Sequence, residues 1–287
     1  MKTDPVVVSR LRAAGCVWAE EEAALLTAAA GSPAELDAMV ARRAGGEPVE
    51  QVVGWAEFHG LRVLVDRGVF VPRRRSEFLV DVAVRTVRER ALPGPPVIAD
   101  LCCGTGALGL AVAAETGAAQ PADRPADWTA DRPARLHAAD LDPAAVACAR
   151  RNVEPAGGRV YAGDLFAALP GSLGGRVDVL VCNAPYVPSS EIAFLPAEAR
   201  EHEALLALDG GADGLAVLQR AAAGAPDWLA PGGVLLVETS EQQAPSMAAT
   251  MNAAGLTPLV HQDDESGATV VTGCRPQPVV SGYGEQG

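Results

Sequence analysis

The 287-residue sequence predicts an α/β fold with a doubly wound, mainly parallel sheet. From residue 97 onward, short apolar runs alternate with segments of helical character, as in successive β-α-β units. The first of these runs leads into a glycine-rich turn at 102–106, which is typical of a strand that ends at a ligand-binding loop. Apolar residues make up 49% of the chain, which is enough to build a sizeable core.

The part before residue 97 differs in pattern. Residues 5–45 are predicted to be helical, because Ala, Leu, Glu and Arg dominate there and Ser32-Pro33 resembles a helix start. Residues 47–71 carry partly alternating apolar residues, Val52 and Val53 among them, and are punctuated by glycines. This second pattern predicts a β-hairpin. A helix is expected over 76–91.

The alternating part predicts the sheet itself. Strands are expected at 97–101, 136–139, 160–161, 177–181, 234–237 (after a Pro-Gly-Gly turn at 231–233), 257–261 and 268–273. Helices are expected at about 107–116, 143–153, 214–229 and 242–254, and the Pro- and Asp-rich segment 116–136 is predicted to be a loop insertion. We therefore divide the chain into a short helical region (1–45), a β-hairpin linker (46–75), a main α/β domain (76–275) and a tail (276–287).

Charge and cysteine usage narrow the class of protein. The formal net charge of −13 argues against a surface that neutralises phosphates, although Arg73-Arg74-Arg75 is a candidate basic patch. The six cysteines form no C-x-x-C pair and the four histidines are scattered, so no metal site is expected. The N-terminus lacks the apolar core of a signal peptide, and no apolar run reaches the length of a membrane span. We expect a cytoplasmic monomer without membrane or stable nucleic-acid partners.

A glycine-rich loop at 102–106 follows the first strand of the alternating part, and Asp100 precedes it. Glycines allow a close approach of the backbone to a ligand, and the next helix offers its N-terminus. With Gly109, the glycines also match the G-x-G-x-x-G of nicotinamide-dependent dehydrogenases, so that alternative stays open at this point. The acid before the loop favours a ligand with an amino-acid moiety. Asp140, which ends the second strand, suits the ribose hydroxyls of either cofactor.

The fourth strand runs into Asn183-Ala184-Pro185-Tyr186. The Asn183 side-chain oxygen and the carbonyl of Ala184 can accept both hydrogens of one NH2 group. An amide or aromatic amine is a poor nucleophile because its lone pair is delocalised, and holding both hydrogens directs that lone pair at an electrophilic methyl group. Pro185 fixes the turn, and Tyr186 offers a ring face to a planar group. The loop therefore predicts methylation of a planar nitrogen; a purely structural turn is the alternative.

The chain resembles the HemK/PrmC family of protein N5-glutamine methyltransferases over roughly residues 42–273. The resemblance rests on five motifs that occur in the same order: Gly46-Glu47-Pro48, Phe58-His59-Gly60-Leu61, Phe70-Val71-Pro72-Arg73, the N-x-P-Y loop, and the segment 203–214. The resemblance implies a Rossmann-like class I methyltransferase sheet of seven strands with the last strand antiparallel. It also implies S-adenosylmethionine as methyl donor and, as acceptor, the Gln of the Gly-Gly-Gln motif in peptide chain release factors.

The same resemblance implies which residues form the site. S-adenosylmethionine would be bound by Asp100, Cys102, Cys103, Gly104, Thr105, Gly106, Asp140, Asp164, Leu165 and Asn183. Of these, Asp164 and Leu165 would flank the adenine. The glutamine amide would be held by the catalytic loop of Asn183, Ala184, Pro185 and Tyr186.

The sequence departs from the family pattern mainly on the substrate side. Ala184 replaces the first Pro of N-P-P-Y, and Arg74-Arg75-Ser76 stand where the family has Pro-Glu-Thr. Cys102 replaces a Gly of the loop, and the N-terminal helical region is expected to be shortened. These departures keep open two alternatives within methyl transfer, namely another protein target and an exocyclic amine of a nucleobase. A binding module that retains the cofactor without turnover is the third alternative.

Overall fold

The computed structural model describes residues 4–90, 92, 94–117 and 135–277. The predicted loop insertion at 116–136 and the predicted tail at 276–287 lie almost entirely outside these residues. None of the described helices is long and apolar enough to cross a membrane.

Three N-terminal helices pack around one small core. They are α1 (Pro5–Ala13), α2 (Ala19–Ala29) and α3 (Pro33–Ala44), and Leu11, Leu26 and Val40 are fully buried between them. Ser32 caps α3, since its hydroxyl accepts a hydrogen bond from the Glu35 amide at 3.2 Å. The predicted helical character of 5–45 and the Ser32 cap are therefore confirmed.

The hairpin is shorter than its sequence pattern predicts. Strands β1 (Trp55–Phe58) and β2 (Leu61–Leu64) form it, and His59 (φ +47°) and Gly60 (φ +73°) make its two-residue turn. Val52 and Val53 do not belong to it, because they lie in a short helix, α4 (Val49–Val53). That helix ends at Gly54, in the left-handed conformation with φ +83°, so the chain turns before the first strand begins.

One seven-stranded sheet forms the centre of the described chain. Its strands are β3 (Ile98–Leu101), β4 (Leu136–Asp140), β5 (Arg159–Ala162), β6 (Val177–Cys182), β7 (Leu229–Thr239), β8 (Thr257–Asp263) and β9 (Ala268–Cys274). The strand order is β5-β4-β3-β6-β7-β9-β8, and β9 runs in the direction opposite to the other six strands. The predicted seven-stranded sheet with an antiparallel last strand is confirmed.

Helices cover both faces of this sheet. They are α5 (Glu77–Arg90), α6 (Ala107–Thr116), α7 (Pro143–Val153), α9 (Ala216–Trp228) and α10 (Ala244–Ala253). A further short helix, α8 (Ala197–His202), is linked to α3 by an ion pair between Glu198 and Arg43 at 3.1 Å. Successive strand residues point to opposite faces, so Ile98 joins the core beneath α5, α6 and α7, whereas Ala99 joins the core beneath α9 and α10. The predicted doubly wound arrangement follows from this alternation.

The prediction of a Pro-Gly-Gly turn at 231–233, before the start of a strand, is wrong. Strand β7 continues through these residues and pairs with β6 on both sides of a register shift. Gly232 adopts φ +75°, and a Cβ on Gly233 would lie 2.6 Å from the Val177 carbonyl oxygen. Glycine is therefore needed here for a bulge inside the strand rather than for a turn before it.

Candidate functional site

A cavity of about 820 Å³ lies at the carboxyl edge of the sheet, within the size range of small-molecule and cofactor sites. It sits where the strand order reverses between β3 and β6, which is the usual ligand position in doubly wound folds. Every predicted site residue except Asp100 and Gly106 lines it. The structure thus brings the predicted cofactor loop and the predicted catalytic loop to one cavity.

The glycine-rich loop turns through three left-handed residues. Cys102 has φ +55°, Gly104 +54° and Gly106 +79°, and a left-handed conformation costs a non-glycine residue about 1–2 kcal/mol. Hydrogen bonding to Cys182 and burial raise the pKa of the Cys102 thiol, so it is a neutral packing group. The Cys103 amide donates to the Ala139 carbonyl at 3.1 Å, which ties the loop to the end of β4.

Asp100 lies behind the loop and is fully buried. Its Oδ2 accepts a hydrogen bond from the Gly109 amide at 2.9 Å, and its Oδ1 has no partner among the described residues. Burial raises the pKa of Asp100 to about 7, and the nearby Asp140 charge acts in the same direction. A Cβ on Gly109 would come within 2.8 Å of this carboxyl group, so Gly109 serves close packing of α6. A direct cofactor contact by Asp100 stays a prediction.

Asp140 forms the cavity wall at the end of β4. Its Oδ2 accepts from the Gly104 amide at 2.8 Å and its Oδ1 from the Asp142 amide at 2.9 Å. Burial raises the pKa of this carboxyl group, although both backbone hydrogen bonds lower it. A carboxylate offers about four acceptor positions, so Asp140 retains capacity for hydroxyl donors in the cavity.

Asp164 and Leu165 line the same wall after β5. Leu165 is buried and left-handed, with φ +47°. The Asp164 carboxylate pairs with Arg220 at 2.6 Å, and both side chains are about half exposed. The role of Asp164 and Leu165 beside an adenine ring stays a prediction.

The catalytic loop predicted at 183–186 faces the cavity from the end of β6. The Asn183 Nδ2 atom donates to the Ser76 hydroxyl at 3.3 Å and to Glu238 Oε2 at 3.4 Å. Neither the Asn183 Oδ1 atom nor the Ala184 carbonyl accepts a hydrogen bond from the described residues. Ala184 is buried and packs in the core beneath α9 and α10, and the residue also lines the cavity.

The Tyr186 hydroxyl lies between Glu238 and Arg75. The hydroxyl donates to Glu238 Oε1 at 2.8 Å and accepts from the Arg75 guanidinium. Burial and the Glu238 charge raise the pKa of Tyr186, so its hydroxyl is neutral and serves as a donor to the carboxylate.

The cavity lining also includes Arg75, Ser76 and Glu238, which are not among the predicted site residues. Arg75 Nε pairs with Glu238 Oε1 at 3.0 Å, and Arg73 pairs with the buried Glu203 at 2.6 Å. Two of the three arginines in the candidate basic patch, Arg73 and Arg75, therefore form ion pairs within the protein. The position of Glu238 at the carboxyl end of a strand beside β6 was the signal that could have identified it.

The residues present fit S-adenosylmethionine. The loop offers backbone groups at positive φ, Asp140 offers spare acceptor positions, and the cavity continues from there to the Asn183 loop. S-adenosylmethionine carries a ribose, which Asp140 can bind, and a reactive methyl group, which can reach the Asn183 loop. Together with the sheet topology, this arrangement defines an S-adenosylmethionine-dependent methyltransferase.

Comparison with known proteins narrows this class. No protein-family model matches the chain. The release factor glutamine methyltransferase of Streptomyces coelicolor is 37% identical over 205 residues, which span 71% of this chain and 67% of that protein. The protein with the same name from Geobacter sulfurreducens is 33% identical over 249 residues, or 85% and 80% of the two chains. The chain belongs to the release factor glutamine methyltransferase family.

A third relative carries a different name. The 4-amino-L-phenylalanine/4-methylamino-L-phenylalanine methyltransferase of Streptomyces pristinaespiralis is 35% identical over 218 residues, which span 75% of this chain and 69% of that protein. All three relatives are methyltransferases by name, so the dehydrogenase alternative is wrong. Gly109, which suggested it, packs against Asp100 instead.

Proposed function

We propose that this chain transfers a methyl group from S-adenosylmethionine to the side-chain amide nitrogen (N5) of a protein glutamine, in the Gly-Gly-Gln motif of peptide chain release factors. The observation that carries the proposal is that Asn183 and Ala184 both line the cavity, and that neither Asn183 Oδ1 nor the Ala184 carbonyl accepts a hydrogen bond from the described residues. Two acceptors one residue apart match the two hydrogens of a primary amide.

The chemistry that this chain contributes is mainly positioning. When bound, S-adenosylmethionine supplies a methyl group on a positively charged sulfur. Asn183 and the Ala184 carbonyl hold both amide hydrogens, so the nitrogen lone pair faces the cofactor side of the cavity. The amide nitrogen becomes positively charged when it takes the methyl group, which makes its hydrogens strongly acidic, so one proton leaves after transfer. No general base is therefore required of the described residues.

The surroundings of the cavity favour a protein substrate over a nucleobase. Leu206 lines the cavity and is exposed. Phe194 and Leu205, which precede the cavity residues Leu195 and Leu206 in the sequence, are exposed as well. Such an apolar rim suits a protein loop. Arg73 and Arg75 are engaged by Glu203 and Glu238, and the net charge of −13 opposes a phosphate backbone.

A second candidate is methylation of the aromatic amine of a free amino acid. The Streptomyces pristinaespiralis relative bears such a name, and Asn183 with Ala184 would hold an aromatic NH2 in the same way.

The deciding experiment uses the purified chain with methyl-labelled S-adenosylmethionine and purified release factors. Mass spectrometry of the Gly-Gly-Gln peptide should show one added methyl group on Gln. The matched control is a release factor whose Gln is replaced by Glu, which should stay unlabelled. Label transfer to 4-amino-L-phenylalanine, with none to the release factors, would overturn the proposal in favour of the second candidate.

A further inference from the structure

The amide of Asn183 is useful only in one of its two orientations. With Oδ1 toward the cavity, Asn183 accepts a hydrogen from a substrate NH2 group; turned by 180°, it would present its own NH2 and repel that group. The amide oxygen and nitrogen are almost equal in size, so shape alone does not select between them. Some other group must fix the orientation.

Glu238 and Ser76 surround the Nδ2 side of Asn183. Glu238 Oε2 lies 3.4 Å and the Ser76 hydroxyl 3.3 Å from Nδ2. Both side chains are buried. A carboxylate only accepts hydrogen bonds, so an Asn183 oxygen facing Glu238 would bring two acceptors together in a poorly solvated place.

The orientation of Glu238 is fixed in turn from its other side. Its Oε1 accepts from the Tyr186 hydroxyl at 2.8 Å and pairs with Arg75 Nε at 3.0 Å. The donors on Tyr186 and Arg75 therefore require an oxygen atom at the Oε1 position, even when the other oxygen of the carboxylate is replaced by NH2. Ser76, Arg75, Asn183, Tyr186 and Glu238 thus form one hydrogen-bonded cluster. Replacement of one Glu238 oxygen by NH2 should disturb this cluster.

We propose that Glu238, supported by Ser76, is a positioning residue that holds the Asn183 amide with its oxygen toward the substrate nitrogen. The proposal rests on the proposed function only for the identity of the substrate. It assigns Arg75 and Tyr186 the task of orienting Glu238, and it explains why an acid stands at the buried end of β7.

Glu238→Gln tests the proposal most directly. Arg75 and Tyr186 should hold the new amide oxygen, so the new NH2 faces Asn183 Nδ2, donor against donor. The Asn183 side-chain amide should then rotate by 180° or move away from residue 238. We expect kcat to fall by about tenfold or more, which is the loss expected for one hydrogen bond to a charged group. Cofactor affinity should change by less than about threefold, because the substitution leaves the loop at 102–106 and Asp140 untouched.

A rescue separates positioning from general damage. Asn183→Asp alone places two carboxylates face to face and should lower kcat by about a hundredfold or more. When Asn183→Asp is combined with Glu238→Gln, the NH2 of the new glutamine can donate to one oxygen of the new carboxylate and leave the other oxygen for the substrate. The double variant should therefore be at least about tenfold more active than Asn183→Asp. Glu203→Gln, a buried acid outside this cluster, is the matched control and should rescue nothing.

A second readout needs no substrate. The side-chain NH2 signals of Asn183 in 15N-labelled protein are assigned by their loss in Asn183→Ala. In the wild type they should show slow hydrogen exchange, and Glu238→Gln should shift them and speed exchange by about tenfold. Unchanged signals, or a double variant no better than Asn183→Asp, would overturn the positioning role. Failure of the wild type on release factors would instead overturn only the proposed function, because the NMR result still decides the inference.

Discussion

The buried carboxyl group of Asp100 makes the stability of this protein depend on pH in a way that can be worked out from the structure. Asp100 is fully buried, and only one of its oxygens has a partner among the described residues. Burial raises its pKa from 3.8 to about 7. In the unfolded chain the group ionises near its ordinary value, so at intermediate pH the native state holds a proton that the unfolded state has lost.

The difference between the native and unfolded pKa values of Asp100 sets the sign and the size of its contribution to the free energy of unfolding. Because the native state binds more protons, the stabilising contribution of Asp100 is complete below about pH 4 and is lost as the pH rises through about 7. The full loss is about 4 kcal/mol, and the part that falls between about pH 5 and about pH 8 is about 2.5 kcal/mol. Asp100→Asn is neutral throughout, so the wild type should lose about 2.5 kcal/mol relative to this variant over that range.

Urea unfolding followed by fluorescence measures this loss, since the chain carries four tryptophans. Wild type and Asp100→Asn are unfolded at a series of pH values without cofactor, and the free energy of unfolding of one is subtracted from that of the other. Any constant effect of the amide cancels in the pH dependence.

Asp263→Asn provides the matched control. Hydrogen bonding by Ser266 lowers the pKa of Asp263, so its contribution changes only in more acidic solution. Its difference from the wild type should stay flat from about pH 5 to about pH 8. A difference between wild type and Asp100→Asn that is equally flat would show that Asp100 is already ionised in the native protein and that burial does not raise its pKa.

Three further predictions concern the loops and their supports. Asn183→Ala should leave cofactor affinity within about threefold, because the residue acts on the acceptor, and should abolish methyl transfer; retained transfer would remove its amide-holding role. Gly109→Ala should lower the free energy of unfolding by about 1–3 kcal/mol, because the new Cβ meets atoms 2.8 Å away, whereas Gly171→Ala, with open space around it, should change little. Arg73→Ala should cost about 2–4 kcal/mol by leaving a buried carboxylate unpaired, with exposed Arg74→Ala near zero in the same urea experiment.

The sheet was predictable because its signals are local. Each parallel strand is a short apolar run, and each is followed by a helix or a glycine turn within a few residues. The errors occurred where local pattern and tertiary packing disagree. Val52 and Val53 have strand propensity but lie in the five-residue helix that Gly54 ends, and the buried Gln51 ties that helix to Val69 and His202.

The site was predictable only in part, for a related reason. The loops at 102–106 and 183–186 each carry their signal in consecutive residues. The cluster around Asn183 does not, since Ser76 lies 107 positions away and Glu238 lies 55 away. At the sequence level, Glu238 could equally have been a solvated strand end. Only the register of β6 beside β7 brings it against Asn183.

The departures from the family pattern have different consequences, because some of these positions act through backbone atoms and others act through side-chain atoms. At Ala184 the acceptor is a backbone carbonyl, so replacement of proline leaves it in place. At Cys102 the left-handed backbone costs about 1–2 kcal/mol, but the loop still turns and a neutral thiol packs on Cys182. Arg75 is different, because a side chain acts there and a cation stands where the family has an acid. That cation pairs with Glu238 and contacts Tyr186, so Arg75 changes the charge beside the catalytic loop, which neither Ala184 nor Cys102 does.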